Sequence, residues 1–275
     1  METAAEADDR RLCVSALTSG GRGAVLLTSD GIAIEAEHLP AADGAKDLAV
    51  VVAHGFTGAL ERPAVRRAAG VLRSGGGVVT FSFRGHGGSG GRSTVGDREV
   101  LDLDAAVSWA RRLGYARVAA VGFSMGASVV LRHAGAGGGS GLGPVDAVVA
   151  VSSPARWYYR GTAPMRRLHW VVTRPAGRLV SRVGLRTRIH AREWDPVPRS
   201  PVESVPYIAP TPLLIVHGDR DAYFPLDHPL SLAAAAGEDG AELWIEPGFG
   251  HAENAADDAL LGRIGDWLAA RCAGR

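Results

Sequence analysis

From residue 47 onward, short apolar runs alternate with longer segments of helical periodicity. The runs fall at 47–53, 77–83, 117–121 and 145–151, with helix-like stretches at 61–73, 94–113 and 125–134 between them. The alternation resumes with a run at 212–217, a helix at 226–236, a run at 241–246 and a closing helix from about 254 to 271. Strands without polar alternation are buried on both faces, and parallel neighbours need a crossover, usually a helix. The pattern predicts an α/β fold with a mostly parallel central sheet and helices on both faces. Residues 11–37 read instead as two or three short strands, with turns at Ser19–Arg22 and Ser29–Gly31, and so as an antiparallel edge.

A segment of another character, 152–206, interrupts the alternation. It holds three of the six tryptophans and eleven arginines against Glu193, Asp195 and Glu203, a net charge of +8, which leaves −7 for the remainder of a chain whose total is +1. A structureless insertion of this length is unusual in a compact domain, so short helices folded over the sheet's edge as a cap are expected. The whole of 1–275 is then one domain with 152–206 inserted. The tract HAGAGGGSGLGP, 133–144, has the composition of a flexible loop.

With 46% apolar and 21% charged residues, the composition is that of a globular protein in water. A net charge of +1 gives no general attraction to nucleic acid or anionic membrane, so any charge effect must be local. The acidic start METAAEADDR has no apolar h-region, and no run reaches the ~18 residues of a membrane span, so a cytoplasmic protein without signal peptide or anchor is expected. Cys13 and Cys272 lie too far apart in sequence for a close-spaced metal or redox pair, and are expected reduced.

Gly122-Phe123-Ser124-Met125-Gly126 matches G-x-S-x-G between a predicted strand and a predicted helix. Such a turn is sharp enough to hold the serine in a strained conformation, clear of the sheet, at a helix N-terminus that favours negative charge. A serine N-cap would suit the same position. The rest of the chain favours a nucleophile. The run PLLIVHG ends in Gly218-Asp219-Arg220-Asp221 and WIEPGFGHAEN contains Gly250-His251, so an acid and a histidine each follow a strand's carboxyl end, where open α/β sheets place their sites. The order Ser, Asp, His suits a triad in which His251 is the base for Ser124 and an aspartate orients it.

On these motifs the chain resembles an α/β-hydrolase, close to bacterial serine esterases and serine aminopeptidase-like hydrolases, over about residues 45–151 and 210–271. The resemblance implies an oxyanion hole from the backbone N–H groups of Phe56, in His54-Gly55-Phe56-Thr57-Gly58, and Met125, with His54 bracing the loop. The family's G-x-x-D followed four residues later by proline selects Asp221, with Pro225, over Asp219, which is left as a turn residue. Some relatives carry the acid after the strand ending near Val151; here Ser152 and Ser153 stand there, and neither replaces a carboxylate.

Gly85-His86-Gly87-Gly88-Ser89-Gly90 also fits the dinucleotide fingerprint G-x-G-x-x-G. The next helix starts too late for that, and no acid ends the following strand, so the hydrolase loop R-G-x-G-x-S, from Arg84 to Ser89, is the better match. The family often has aspartate two residues before the arginine; Ser82 stands here and leaves the anchoring of Arg84 open.

His133, His217 and His228 read as structural, while His169 and His190 in the insertion are possible substrate contacts. Trp157 and Tyr158, with Tyr159, Trp170 and Trp194, are candidates for an apolar acyl pocket. The arginines read first as solvated helix faces with ion pairs to the acidic remainder, and second as contacts to an anionic group. The expected activity is hydrolysis of a small-molecule ester, thioester or amide, foremost as a carboxylesterase, requiring no metal or organic cofactor. An aminopeptidase-like or thioesterase activity is the alternative, and a binding protein that kept the fold without its chemistry is the rival of another class.

Overall fold

The computed structural model describes residues 12–16, 22–137, 145–237 and 240–273. Among these, nine strands form one sheet in the order β1-β2-β3-β5-β4-β6-β7-β8-β9. The expected antiparallel edge is β1 (Leu12–Ala16), β2 (Arg22–Leu27) and β3 (Ala33–Leu39), and β3 joins β5 (Gly77–Phe81) antiparallel. From β5 through β4 (Leu48–Ala53), β6 (Arg117–Phe123), β7 (Ala147–Val151), β8 (Leu213–Gly218) and β9 (Glu242–Glu246), every pairing is parallel. Of the tract 133–144, read as a flexible loop, residues 133–135 are instead the last of the helix Met125–Gly135, and 138–144 lie outside the described residues.

The buried strands show why the alternation was legible. In β4 every residue is buried, and the pleat sends Ala49, Val51 and Ala53 into one core and Leu48, Val50 and Val52 into the other. Helices α2 (Glu99–Arg112) and α3 (Met125–Gly135) cover the first face; α1 (Pro63–Leu72) and α9 (Asp258–Ala273) cover the second. Strand β9, at the end of the sheet, is only half-buried. The chain leaves β4 for β5 on one side and returns to β6 on the other, so the order reverses at β4, the place where open α/β sheets form a crevice.

Two helix boundaries differ from the sequence reading. The helix expected from residue 94 begins at Glu99, because residues 93–96 wrap around the Glu99 carboxylate, which accepts the N–H groups of Thr94, Val95 and Gly96 and the hydroxyls of Ser93 and Thr94. Val95 and Gly96 have φ of 57° and 105°, which no helix accommodates. The closing helix, expected from about 254, is broken into α8 (Ala252–Ala255) and α9: Ala256 is extended, and the Asp257 carboxylate accepts the Leu260 N–H to start the second piece.

Between β7 and β8 the chain forms α4 (Ala163–Thr173), α5 (Pro175–Gly184) and the short α6 (Pro201–Ser204), followed by α7 (Asp227–Ala236) beyond β8. Each of α4, α5 and α6 opens with proline in its first turn, where the missing N–H costs nothing.

Candidate active site

Ser124 sits between β6 and α3 at φ 51°, ψ −112°, a conformation that costs a non-glycine residue of order 1–3 kcal/mol and persists only where the surroundings impose it. They do so here. A Cβ on Gly126 would run into the backbone of Ala53 and His54, and one on Gly122 into the backbone of Gly126 and Ala127. Both glycines are therefore required by the closeness of the turn to β4 and to the first turn of α3. The Ser124 hydroxyl makes no helix-capping hydrogen bond. It lies 2.9 Å from His251 Nε2 instead.

His251 follows β9, and its Nδ1 lies 2.8 Å from Asp221 Oδ2, in the loop after β8. The structure thus joins Ser124, His251 and Asp221 in one hydrogen-bonded row. Asp219 is directed elsewhere: its Oδ1 accepts the Gly248 N–H at 2.7 Å and ties the two loops together. Burial pushes the Asp221 carboxyl up, but the hydrogen bond from His251 and the N–H groups of Tyr223 (2.8 Å) and Phe224 (3.1 Å) outweigh it and hold the group below the usual carboxylate value. With the carboxylate ionised, His251 Nδ1 is the protonated nitrogen and Nε2 is free to accept from Ser124. The Tyr223 ring stacks on His251 at 4.2 Å between centroids and fixes its plane. Ser152, at φ 52°, accepts the Ala252 N–H through its hydroxyl, and Ala252 itself has φ 55°. Strained residues gather around the strand ends that carry the site.

His54, directly after β4, is wholly buried. Its Nε2 accepts the Phe83 N–H at 3.0 Å, so Nδ1 carries the proton and donates to Gly55 O at 2.7 Å. Burial depresses its pKa to about 3, and it braces the loop as a neutral ring. Glu253, which the sequence reading did not single out, is buried beneath the same loop, and its Oε1 accepts the Gly55 N–H at 3.0 Å. Burial pushes this carboxyl above the usual glutamate value, against the hydrogen bonds it accepts and the proximity of His251.

Arg84 is anchored from two sides. Asp102 in α2 takes its Nε at 2.9 Å and its backbone N–H at 2.8 Å, while Asp30 takes the two terminal nitrogens at 2.7 and 3.0 Å. The carboxylate missing at position 82 is supplied from β3: Glu35 Oε1 accepts from the Ser82 hydroxyl at 2.7 Å and the Gly88 N–H at 2.8 Å. No helix follows the glycines closely enough for the dinucleotide reading, since α2 starts at Glu99.

The histidines read as structural are all buried. His217 gives its Nε2 to Phe224 O (2.8 Å) and lies 3.7 Å from Asp221, His228 Nδ1 accepts the Ala155 N–H (2.9 Å), and His133 lies 3.3 Å from Asp104.

A cavity of about 370 Å³ opens onto Ser124. Phe56, Met125, Trp157, Tyr158, His169 and His190 are among the residues that line it. The indole of Trp157 is fixed by its Nε1 bond to Pro198 O (2.9 Å) and by edge contact with Trp194 at 5.1 Å. Phe56 precedes Thr57, at φ 66°, and Met125 opens α3, whose first N–H groups have no partner within the helix. Among the described residues, no group of His, Cys, Asp and Glu is placed to hold a metal ion, and no helix is long and apolar enough to cross a membrane. The ion pairs expected between the insertion's arginines and the acidic remainder reduce, among the described residues, to Arg156 with Asp227. Arg166 and Arg178 donate to backbone carbonyls instead.

The family model described as alpha/beta hydrolase fold matches residues 49–170. No curated protein matches in sequence. In three dimensions the chain is similar to an esterase of Pyrococcus furiosus (TM-score 0.71, 23% identity, 98% of this chain and 94% of that one). It is also similar to the alpha/beta hydrolase GrgF of Penicillium sp. sh18 (0.69, 19%, 92% and 99%) and to the ferulic-acid complex of Est1E of Butyrivibrio proteoclasticus (0.58, 18%, 89% and 97%). At these identities the likeness is one of fold.

Proposed function

This chain has the α/β-hydrolase fold, and from that premise we propose that it is a serine hydrolase, a carboxylesterase acting on small-molecule esters in the cytoplasm. The observation that carries the reading is the row Ser124–His251–Asp221, with contacts of 2.9 and 2.8 Å, at the floor of a largely apolar cavity. Ser124 Oγ attacks the ester carbonyl as His251 Nε2 takes its proton. The N–H groups of Phe56 and Met125 hold the oxyanion, and His251 then passes the proton to the leaving alcohol. Water enters by the same base and releases the acid. Asp221 keeps the imidazole in the required tautomer and offsets its transient positive charge. In this reading 152–206 is a cap within a single domain, and Trp157 and Tyr158 contact the acyl group.

The cavity lining favours an ester over a peptide with a free α-amino group. Gripping an ammonium calls for carboxylates, and among the described residues lining the cavity Glu193, itself exposed, is the one carboxylate present. A panel of acyl esters, acyl thioesters and amino-acid amides, run with wild type and Ser124→Ala, tests the proposal together with fluorophosphonate labelling. Ester turnover and labelling that both vanish in Ser124→Ala support it. Hydrolysis retained by Ser124→Ala, or no labelling of folded wild type, refutes it.

A further inference from the structure

The helical hairpin α4–α5 presents an apolar surface away from the rest of the protein. In α5, Gly177 and Ser181 face inward: a Cβ on Gly177 would meet the backbone of Trp170 and Val171, and Ser181 is fully buried. At 100° per residue, Leu179, Val180 and Val183 fall on roughly the opposite side, and they are 61%, 53% and 75% exposed. Trp170, at the end of α4, is also exposed. A cluster of this kind on ten or so consecutive residues is not the scattered exposure of an ordinary surface.

Charge indicates what covers it. Residues 147–192 contain ten arginines and no aspartate or glutamate. On the α5 wheel Arg182 lies beside the apolar face, and Arg174 and Arg186 stand just outside the two ends of the helix; all three are exposed. A second copy meeting this one through the same face would set arginines against arginines with no carboxylate between them, which disfavours a symmetric dimer. An apolar ridge that projects outward, bordered by long cationic side chains able to reach upward while their stems lie along it, fits the interface of an anionic lipid surface. Met165, Leu168 and Val172, on the side of α4 away from Trp170, line the cavity that opens onto Ser124.

We propose that the α4–α5 hairpin is a docking element for an anionic lipid surface. Leu179, Val180 and Val183 enter the headgroup boundary while Arg174, Arg182 and Arg186 contact the anionic headgroups. Docking is read by binding, not turnover, so its failure is distinct from failure of the hydrolase proposal.

The experiment is co-sedimentation of the whole chain with phosphatidylcholine vesicles, with and without phosphatidylglycerol. Wild type is expected to pellet with the anionic vesicles and to be released by salt. Leu179→Ser/Val183→Ser is expected to lower the partition coefficient at least about tenfold, and Arg174→Gln/Arg182→Gln roughly 30-fold. Circular dichroism melts establish that the variants fold, and Val183→Ser alone replaces a double variant that melts early. Three outcomes overturn the proposal: wild type staying in the supernatant with anionic vesicles, folded variants that pellet like wild type, or a concentration-dependent dimer in sedimentation velocity that the apolar variant abolishes in the absence of any vesicle binding.

Discussion

Glu253 holds Gly55: its Oε1 accepts the Gly55 N–H at 3.0 Å across 198 residues of sequence, from the helix that follows His251 to the loop that follows β4. That bond positions the peptide preceding Phe56, whose N–H is one of the two proposed oxyanion donors. Glu253→Ala is expected to lower kcat for ester hydrolysis by about ten- to a hundredfold with KM nearly unchanged, a fraction of what losing a donor outright costs. Glu253→Gln, which can still accept the bond, should keep most of the rate.

The same residue gives a pH-dependent stability. Its folded pKa is raised above the ordinary 4.5 by burial, so ionisation in the folded state is disfavoured and the resulting cost appears as pH rises above 4.5. Glu253→Gln should therefore melt at or above the wild-type temperature at neutral pH. The difference should close as pH falls below 4.5, as followed by thermal melts across a pH series.

Asp221 and Asp219 separate cleanly by mutation. Asp221→Asn is expected to reduce kcat by about four orders of magnitude by fixing the wrong imidazole tautomer. Asp219→Asn, which can still accept the Gly248 N–H, should stay within about threefold of wild type. The Asp221 pKa is lowered on folding, so its ionised form contributes stability that is present above its ordinary value of 3.8 and lost as pH falls below it. The melting-temperature gap between wild type and Asp221→Asn should accordingly narrow on acidification through that range.

Gly126→Ala tests the packing of the serine turn. Its Cβ would press on the carbonyl oxygens of Ala53 and His54, backbone atoms that cannot rotate away. A loss of about 3 kcal/mol in chemical denaturation is expected, at the upper end for overpacking, together with loss of esterase activity as Ser124 shifts. A fully stable, active Gly126→Ala would show that the turn tolerates a side chain.

Trp157→Ala removes a large ring from the cavity wall and leaves Trp194 without its edge partner. The acyl-length profile should move toward longer chains, with kcat/KM for short esters falling about tenfold as they lose contact area. Specificity constants across a series of p-nitrophenyl esters measure this.

Much of this arrangement is legible in the sequence because it depends on local pattern. Apolar runs reveal the parallel strands, the two glycines around Ser124 reveal the turn, and the acid and histidine lie where strands end. The remainder depends on reach. Glu253 to Gly55, Glu35 to Ser82 and Asp30 to Arg84 are long-range hydrogen bonds that no periodicity records. Residues 94–98 carry a helical pattern, yet the Glu99 carboxylate gathers the N–H groups of Thr94, Val95 and Gly96 more effectively than a first helical turn would. The insertion's arginines have few carboxylates within reach, so some of them bond carbonyls and others remain in water.

His251 hangs from β9, the outermost and least buried strand of the parallel run, while Ser124 stands on β6, deep in the sheet. Warming should release the edge before the centre, so the protein would stop working while most of its secondary structure persists. Its operating ceiling is then set by how firmly one rim of the sheet stays stitched, and reinforcing that rim would raise the ceiling without touching the core.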